Sequence, residues 1–277
     1  MNDPLVSTDW LAAHIGDPNV VVVDATWFMP AAKRNPRAEF EAAHLPGAVF
    51  FDIDAVADTS SSLPHMLPAP EVFAKAVAAL GIGDDTTIIA YDANGLIASA
   101  RLWWTFRAMG HDAIEVLDGG LTKWRAEGRP LETGAAFPRA PARFTPKFRP
   151  ELVRSFDQVK TSMAEVLDAR PGTRFRGEVA EPREGLKSGH MPGSRNLPSS
   201  ELVDAAGRLK SADDLYPLFR EAGVDLSKPV ITSCGSGVTA CILALGLARL
   251  GIPDAPVYDG SWTEWGGRDD APVETSR

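Results

Sequence analysis

Short runs of β-branched residues alternate along the chain with longer amphipathic stretches. Val20-Val-Val-Val-Asp24, Thr87-Ile-Ile-Ala-Tyr91, Val166-Leu-Asp168 and Val230-Ile-Thr-Ser233 are short runs rich in β-branched and apolar residues. Such runs predict strands covered on both faces, as in a parallel sheet. Pro70–Leu80 and Ala212–Ala222 are apolar along one side and predict surface helices. Val238–Leu250 is apolar all round except near Arg249 and predicts a buried helix. It is too short for a membrane span, which takes about 20 apolar residues. Strand and helix in alternation predict the α/β class, with a mostly parallel sheet flanked by helices.

The succession occurs twice. Each half opens on a strand closing on Asp-Ala, at Asp24-Ala25 and Asp168-Ala169. A His-x-Pro-Gly turn follows, at His44–Gly47 and His190–Gly193. A helical stretch, a second strand, a glycine loop and an apolar helix come next. Asp118-Gly119 and Asp259-Gly260 then lead to a closing tryptophan, Trp124 or Trp265. The register between the halves is nearly constant, so the chain reads as two copies of one domain, 1–136 and 151–277. The stretch between them, 137–150, is rich in proline and arginine and predicts a stiff, extended linker.

Composition narrows the function classes. A net charge of -9 argues against nucleic acid or an anionic membrane surface as partner. Met1–Thr8 has neither a basic nor an apolar leader segment, so no secretory signal is expected. The only cysteines are Cys234 and Cys241. With no disulfide framework, a reducing compartment, the cytoplasm, is expected. No Cys-x-x-Cys pair suggests zinc, and nothing implies a metal or cofactor. If both cysteines lay on one helix, they would be roughly 10 Å apart along its axis. A disulfide spans at most about 7 Å between Cα atoms.

The chemistry concentrates on Cys234-Gly-Ser-Gly-Val-Thr-Ala240, between a buried strand and an apolar helix. This is the carboxyl end of a strand, where parallel α/β sheets bind ligands. Gly235 and Gly237 let the backbone wrap, so that several N–H groups can point at one atom. The N-terminus of the following helix adds positive potential there. The result is an anion cradle around a sulfur, a setting that favours the nucleophilic thiolate. The repeat supplies an internal control. The N-terminal counterpart is Asp92-Ala-Asn-Gly-Leu-Ile-Ala98, so the fold does not require cysteine there. Cys241 aligns with Ser99 and reads as core packing.

Two tandem domains, His-x-Pro-Gly in each, cysteine in the second alone, and Cys-Gly-Ser-Gly-Val-Thr together resemble the rhodanese superfamily. Within it the loop resembles the 3-mercaptopyruvate sulfurtransferases. Thiosulfate sulfurtransferases typically carry Arg-Lys where this chain has Gly235-Ser236. The resemblance covers nearly the whole chain and implies two rhodanese-like domains, the first non-catalytic. It implies that Cys234 forms a persulfide, with 3-mercaptopyruvate as small-molecule donor and pyruvate as co-product. The acceptor it implies is a thiol, such as that of thioredoxin, or cyanide. Arg174 and Arg183 match arginines assigned to the substrate carboxylate and carbonyl. Asp54, His65 and Ser236 match a proposed Asp–His–Ser relay. Gly235, Gly237, Val238 and Thr239 complete the substrate-binding loop. The family's Glu-Pro-Glu-Pro-Arg is here Glu178-Val-Ala-Glu-Pro-Arg183, with the spacing from Arg174 intact.

Read from the residues, Arg183 has a counterpart in Arg37 and Arg174 has none, so Arg183 carries the stronger structural alternative. His44, His190, Asp24, Asp168, Asp118 and Asp259 occur in both halves and read as scaffold. Other readings stay open at this point. They are a thiosulfate sulfurtransferase and a non-catalytic sulfide- or protein-binding module. A phosphatase related to this fold would need Cys-x5-Arg, and position 240 is alanine.

Overall fold

The computed structural model describes residues 3–276. Met1 and Asn2, at the start of the segment read for a leader, lie outside the described residues. The chain forms two compact units, each assembled from separate stretches. One holds Met1–Thr59, Leu67–Arg149 and Ala205–Leu209; the other holds Ser60–Met66, Pro150–Asp204 and Lys210–Arg277.

The first unit contains strands β1 (Leu5–Val6), β2 (Val20–Asp24), β3 (Val49–Phe50), β4 (Thr87–Tyr91) and β5 (Ile114–Leu117). They form a parallel sheet in the order β1-β5-β4-β2-β3. The second contains β6 (Val153–Arg154), β7 (Glu165–Asp168), β8 (Arg195–Asn196), β9 (Val230–Ser233) and β10 (Val257–Tyr258). Its parallel sheet has the matching order β6-β10-β9-β7-β8. Every residue of β2 is buried, as an unbroken valine run requires when helices cover both faces of a sheet. Asp24 pairs with Tyr91, and Asp168 with Ser233. The next residues in the chain, Asp92 and Cys234, therefore stand at the carboxyl ends of the two middle strands.

The predicted helices form at Pro70–Ala79, Ala212–Glu221 and Ala240–Arg249. Proline opens the first, where its missing N–H costs nothing. Ser211 caps the second, its Oγ accepting from the Asp214 N–H at 3.2 Å. The third begins later than its apolar pattern suggests. Val238 and Thr239 stay outside it, which lengthens the loop after Cys234. No helix among the described residues is long and apolar enough to cross a membrane.

The residues shared by both halves hold the scaffold. The His44 ring stacks on Phe40 at 4.1 Å, and its Nδ1 bonds the Phe40 carbonyl at 2.8 Å. The His190 ring stacks on Phe175 at 4.0 Å, with Nδ1 on the Phe175 carbonyl at 2.8 Å. The backbones of His44 and His190 pair with Glu132 and Glu274. The proline-rich stretch after Phe137 has no regular structure, yet it is docked on the first unit. Phe144 is buried against Phe73 and Phe106. Main-chain bonds run from Ala142 to Ala78, Lys147 to Met109 and Arg149 to Ala108.

Candidate active site

Cys234 is buried at the end of β9, and its loop is held from the turn after β10. The Cys234 carbonyl accepts from the Trp262 N–H at 2.9 Å. The Gly235 carbonyl accepts from the Thr263 N–H at 2.8 Å and from Thr263 Oγ1 at 2.6 Å. Gly237 has φ +75°, the left-handed conformation its lack of a Cβ permits. The N–H groups of Gly235, Ser236, Val238, Thr239 and Ala240 make no hydrogen bond within the described chain. Ser236 is buried, and its hydroxyl likewise bonds no described residue.

The N-terminal half displays what this loop can hold. The Asp92 carboxylate accepts from the N–H groups of Asn94 (3.2 Å), Leu96 (3.1 Å), Ala98 (3.0 Å) and Ser99 (2.9 Å). Ser99 Oγ adds another bond at 2.9 Å. The repeat aligns these groups with Ser236, Val238, Ala240 and Cys241. Cys241 is fully buried in the first turn of its helix, and its Sγ donates to the Gly237 carbonyl at 3.2 Å. Since Cys234 lies in the loop, the two cysteines do not share a helix. Both are free thiols.

Arg174 lies beside the loop. A Cβ built on Gly235 would stand 3.3 Å from Arg174 Nη2. The guanidinium is fixed by Glu181, whose oxygens accept from Nε at 3.2 Å each and also from Nη2. Nη1 makes no hydrogen bond within the described chain, so the fork keeps a donor edge. Glu181 also accepts from Arg170 at 2.8 Å. Arg170 is bound by Asp168 at 2.7 Å and lies over the Trp262 ring at 4.2 Å. Burial alone would lower the pKa of Arg170, but the carboxylates of Asp168 and Glu181 outweigh it and keep the group charged. The N-terminal half has Thr26 at this place, and burial pushes the Asp24 carboxyl above its usual range.

Arg183 is half-buried in a loop and makes no ion pair or hydrogen bond within the described chain. Arg37, its counterpart, is exposed on the helix Pro36–Ala42 and lies over the Phe50 ring at 4.8 Å. Asp54 is exposed in the first unit, and its Oδ2 accepts from Trp27 Nε1 at 2.9 Å. His65 has φ +61° and falls in the same compact unit as Cys234. The loop geometry thus brings together Cys234, Gly235, Ser236 and Arg174, while Asp54 and His65 belong to different units.

Glu181, Arg170, Thr263 and Ser261 did not emerge from the motif pattern. Two of them were open to the comparison that isolated Cys234, because Arg170 faces Thr26 and Ser261 faces Gly120 across the repeat.

The rhodanese-like domain family matches the chain twice, over residues 7–127 and 150–268. This chain belongs to the rhodanese family. It is 46% identical to the 3-mercaptopyruvate sulfurtransferase of Escherichia coli K12, over 97% of each chain. It is 43% identical to the mitochondrial thiosulfate/3-mercaptopyruvate sulfurtransferase 1 of Arabidopsis thaliana, over 99% of this chain and 79% of that protein. The crystal structure of SseA from Escherichia coli, described as showing the rhodanese fold and catalytic mechanism of 3-mercaptopyruvate sulfotransferases, superposes with a TM-score of 0.86. The identity is 42%, over 94% of this chain and 99% of that one. The rhodanese family membership and the paired α/β domains expected from the repeat thus both hold.

Proposed function

We propose that this protein is a 3-mercaptopyruvate sulfurtransferase that carries sulfur as a persulfide on Cys234. The observation that carries the reading is a buried thiol in a loop with open N–H groups, with the fixed fork of Arg174 against that loop. Mercaptopyruvate offers a carboxylate, a ketone and a terminal sulfur. Arg174 and Arg183 bind the carboxylate and carbonyl oxygens, since guanidinium forks match that planar geometry. The Cys234 thiolate attacks the substrate sulfur, and the S–S bond forms as the C–S bond breaks. The electron pair leaves on carbon as an enolate, which the arginines stabilise and a proton converts to pyruvate. Ser236 supplies the proton path in this scheme, the relay role that the family resemblance implies for it together with His65 and Asp54.

The product is an anion reaching one atom beyond Sγ. The Asp92 carboxylate has the same reach from its Cβ. Its N–H partners indicate how Ser236, Val238 and Ala240 would hold the outer sulfur. An acceptor thiolate, such as that of thioredoxin, or cyanide then attacks the outer sulfur. Cys234 leaves as thiolate, and the cycle closes. A cytoplasmic location is part of the proposal, because both cysteines are free thiols.

The test is the intact mass after incubation with mercaptopyruvate. One added sulfur on the wild type, and none on Cys234→Ser, is the expected result. An unchanged wild-type mass would end the persulfide reading.

Thiosulfate remains a second donor to compare, since the Arabidopsis relative is named for both. Replacing Gly235-Ser236 by Arg-Lys is expected to raise thiosulfate use and lower mercaptopyruvate use. Each change should be about tenfold, the worth of one charge-assisted hydrogen bond. Added cations suit a small dianion. A Cβ at position 235 would also press on Arg174, at 3.3 Å. Steady-state rates with both donors check this. A parallel fall in both activities would place donor choice outside the loop.

A further inference from the structure

Ser261 is fully buried in the turn between β10 and the helix Ser261–Trp265. Its φ is +50°, a left-handed conformation that strains any residue with a Cβ. Its counterpart, Gly120, has the same φ of +50°. There a Cβ would fall 2.4 Å from the Asp92 carbonyl oxygen, so the N-terminal half excludes a side chain at this turn. Both halves keep the neighbouring bond, from Leu121 N–H to Asp92 at 3.0 Å and from Trp262 N–H to Cys234 at 2.9 Å. The C-terminal half thus makes room for a strained serine where glycine serves the same turn.

The hydroxyl explains what the strain secures. Ser261 Oγ donates to the Tyr258 carbonyl at 2.7 Å, which fixes its orientation. It accepts from the N–H groups of Cys234 and Gly237, each at 3.1 Å. Ser233 Oγ approaches it at 3.4 Å. One oxygen therefore ties together the two residues that bracket Gly235 and Ser236. It takes up the Gly237 N–H, while those of Ser236 and Val238 stay uncommitted on either side.

From this geometry we infer that Ser261 is a positioning residue for sulfur transfer. It sets the Cys234 loop in the conformation that presents its open N–H groups to the sulfur. The inference rests on the sulfurtransferase reading for its consequence, but the loop geometry can be read without any donor.

The test compares Ser261→Gly with wild type. Glycine removes the strain and is the residue the other half already uses, so the variant is expected to fold, with a Tm between those of Ser261→Ala and wild type because the hydroxyl's hydrogen bonds are lost. Its rate of Cys234 alkylation by iodoacetamide at pH 7, without donor, is expected to fall about tenfold. The kcat with mercaptopyruvate should fall by a similar factor, with KM unchanged, since the arginines are untouched. Ser261→Ala keeps the strain and loses the hydroxyl, and should lower both Tm and alkylation rate. Wild-type alkylation and kcat in either folded variant would overturn the inference and leave Ser261 a turn residue. Slower alkylation in the variants, with no sulfur added to the wild type by mercaptopyruvate, would instead overturn the donor reading and leave the positioning role standing.

Discussion

Cys234→Ser is expected to abolish sulfur transfer, whereas Cys241→Ser retains most of it. A hydroxyl at 234 is a far weaker nucleophile than a thiolate, and activating it would take a strong general base at the loop. Its loop would still fold, since the anchoring bonds use backbone groups, Ser261 and Thr263. Loss of activity would therefore report chemistry and not collapse. At 241 the repeat supplies its own control, because Ser99 stands there in the first unit. Its Oγ fits the same first turn and bonds the Asp92 carboxylate at 2.9 Å. A serine at 241 can keep the bond that the Cys241 thiol makes to Gly237. Turnover with mercaptopyruvate and intact mass after donor treatment check both variants. Persistent turnover in Cys234→Ser would sink the persulfide hypothesis. Total loss in Cys241→Ser would move the chemistry to a second thiol.

The fold and the cysteine loop were legible because the chain repeats itself. Valine runs such as Val20–Val23 admit one reading, and Asp92 opposite Cys234 separated what the fold needs from what the site adds. The rest was hidden for physical reasons. Val238 and Thr239 fit the apolar pattern of the helix after them, but periodicity says nothing of where backbone bonding begins. Proline content predicted an extended segment after Phe137. It did not predict docking, which the burial of Phe144 secures. Ser261 acts on Cys234 and Gly237, which are remote in the chain. Such interactions depend on how turns from different strands meet, and no local pattern encodes that.

Arg174→Ala is expected to lower kcat/KM for mercaptopyruvate by roughly 10²-fold or more. Removing a charge-assisted hydrogen bond to substrate costs about 2–4 kcal/mol. The substitution also strips a cation from Glu181, a buried carboxylate that would keep only Arg170. Some loss of stability is therefore expected, and the kinetics must be compared at temperatures where both proteins are folded. Arg174→Lys should recover part of the activity, since an ammonium keeps the charge but not the planar fork. Arg183→Ala separates two roles. Arg183 makes no ion pair within the described chain, so a ligand role predicts a kinetic loss like that of Arg174 with little change in Tm. A scaffold role predicts the reverse. Arg37→Ala is the matched control, expected to touch stability alone through its packing on Phe50. The result that would sink the carboxylate clamp is an Arg174→Ala enzyme, fully folded, with the wild-type kcat/KM for mercaptopyruvate.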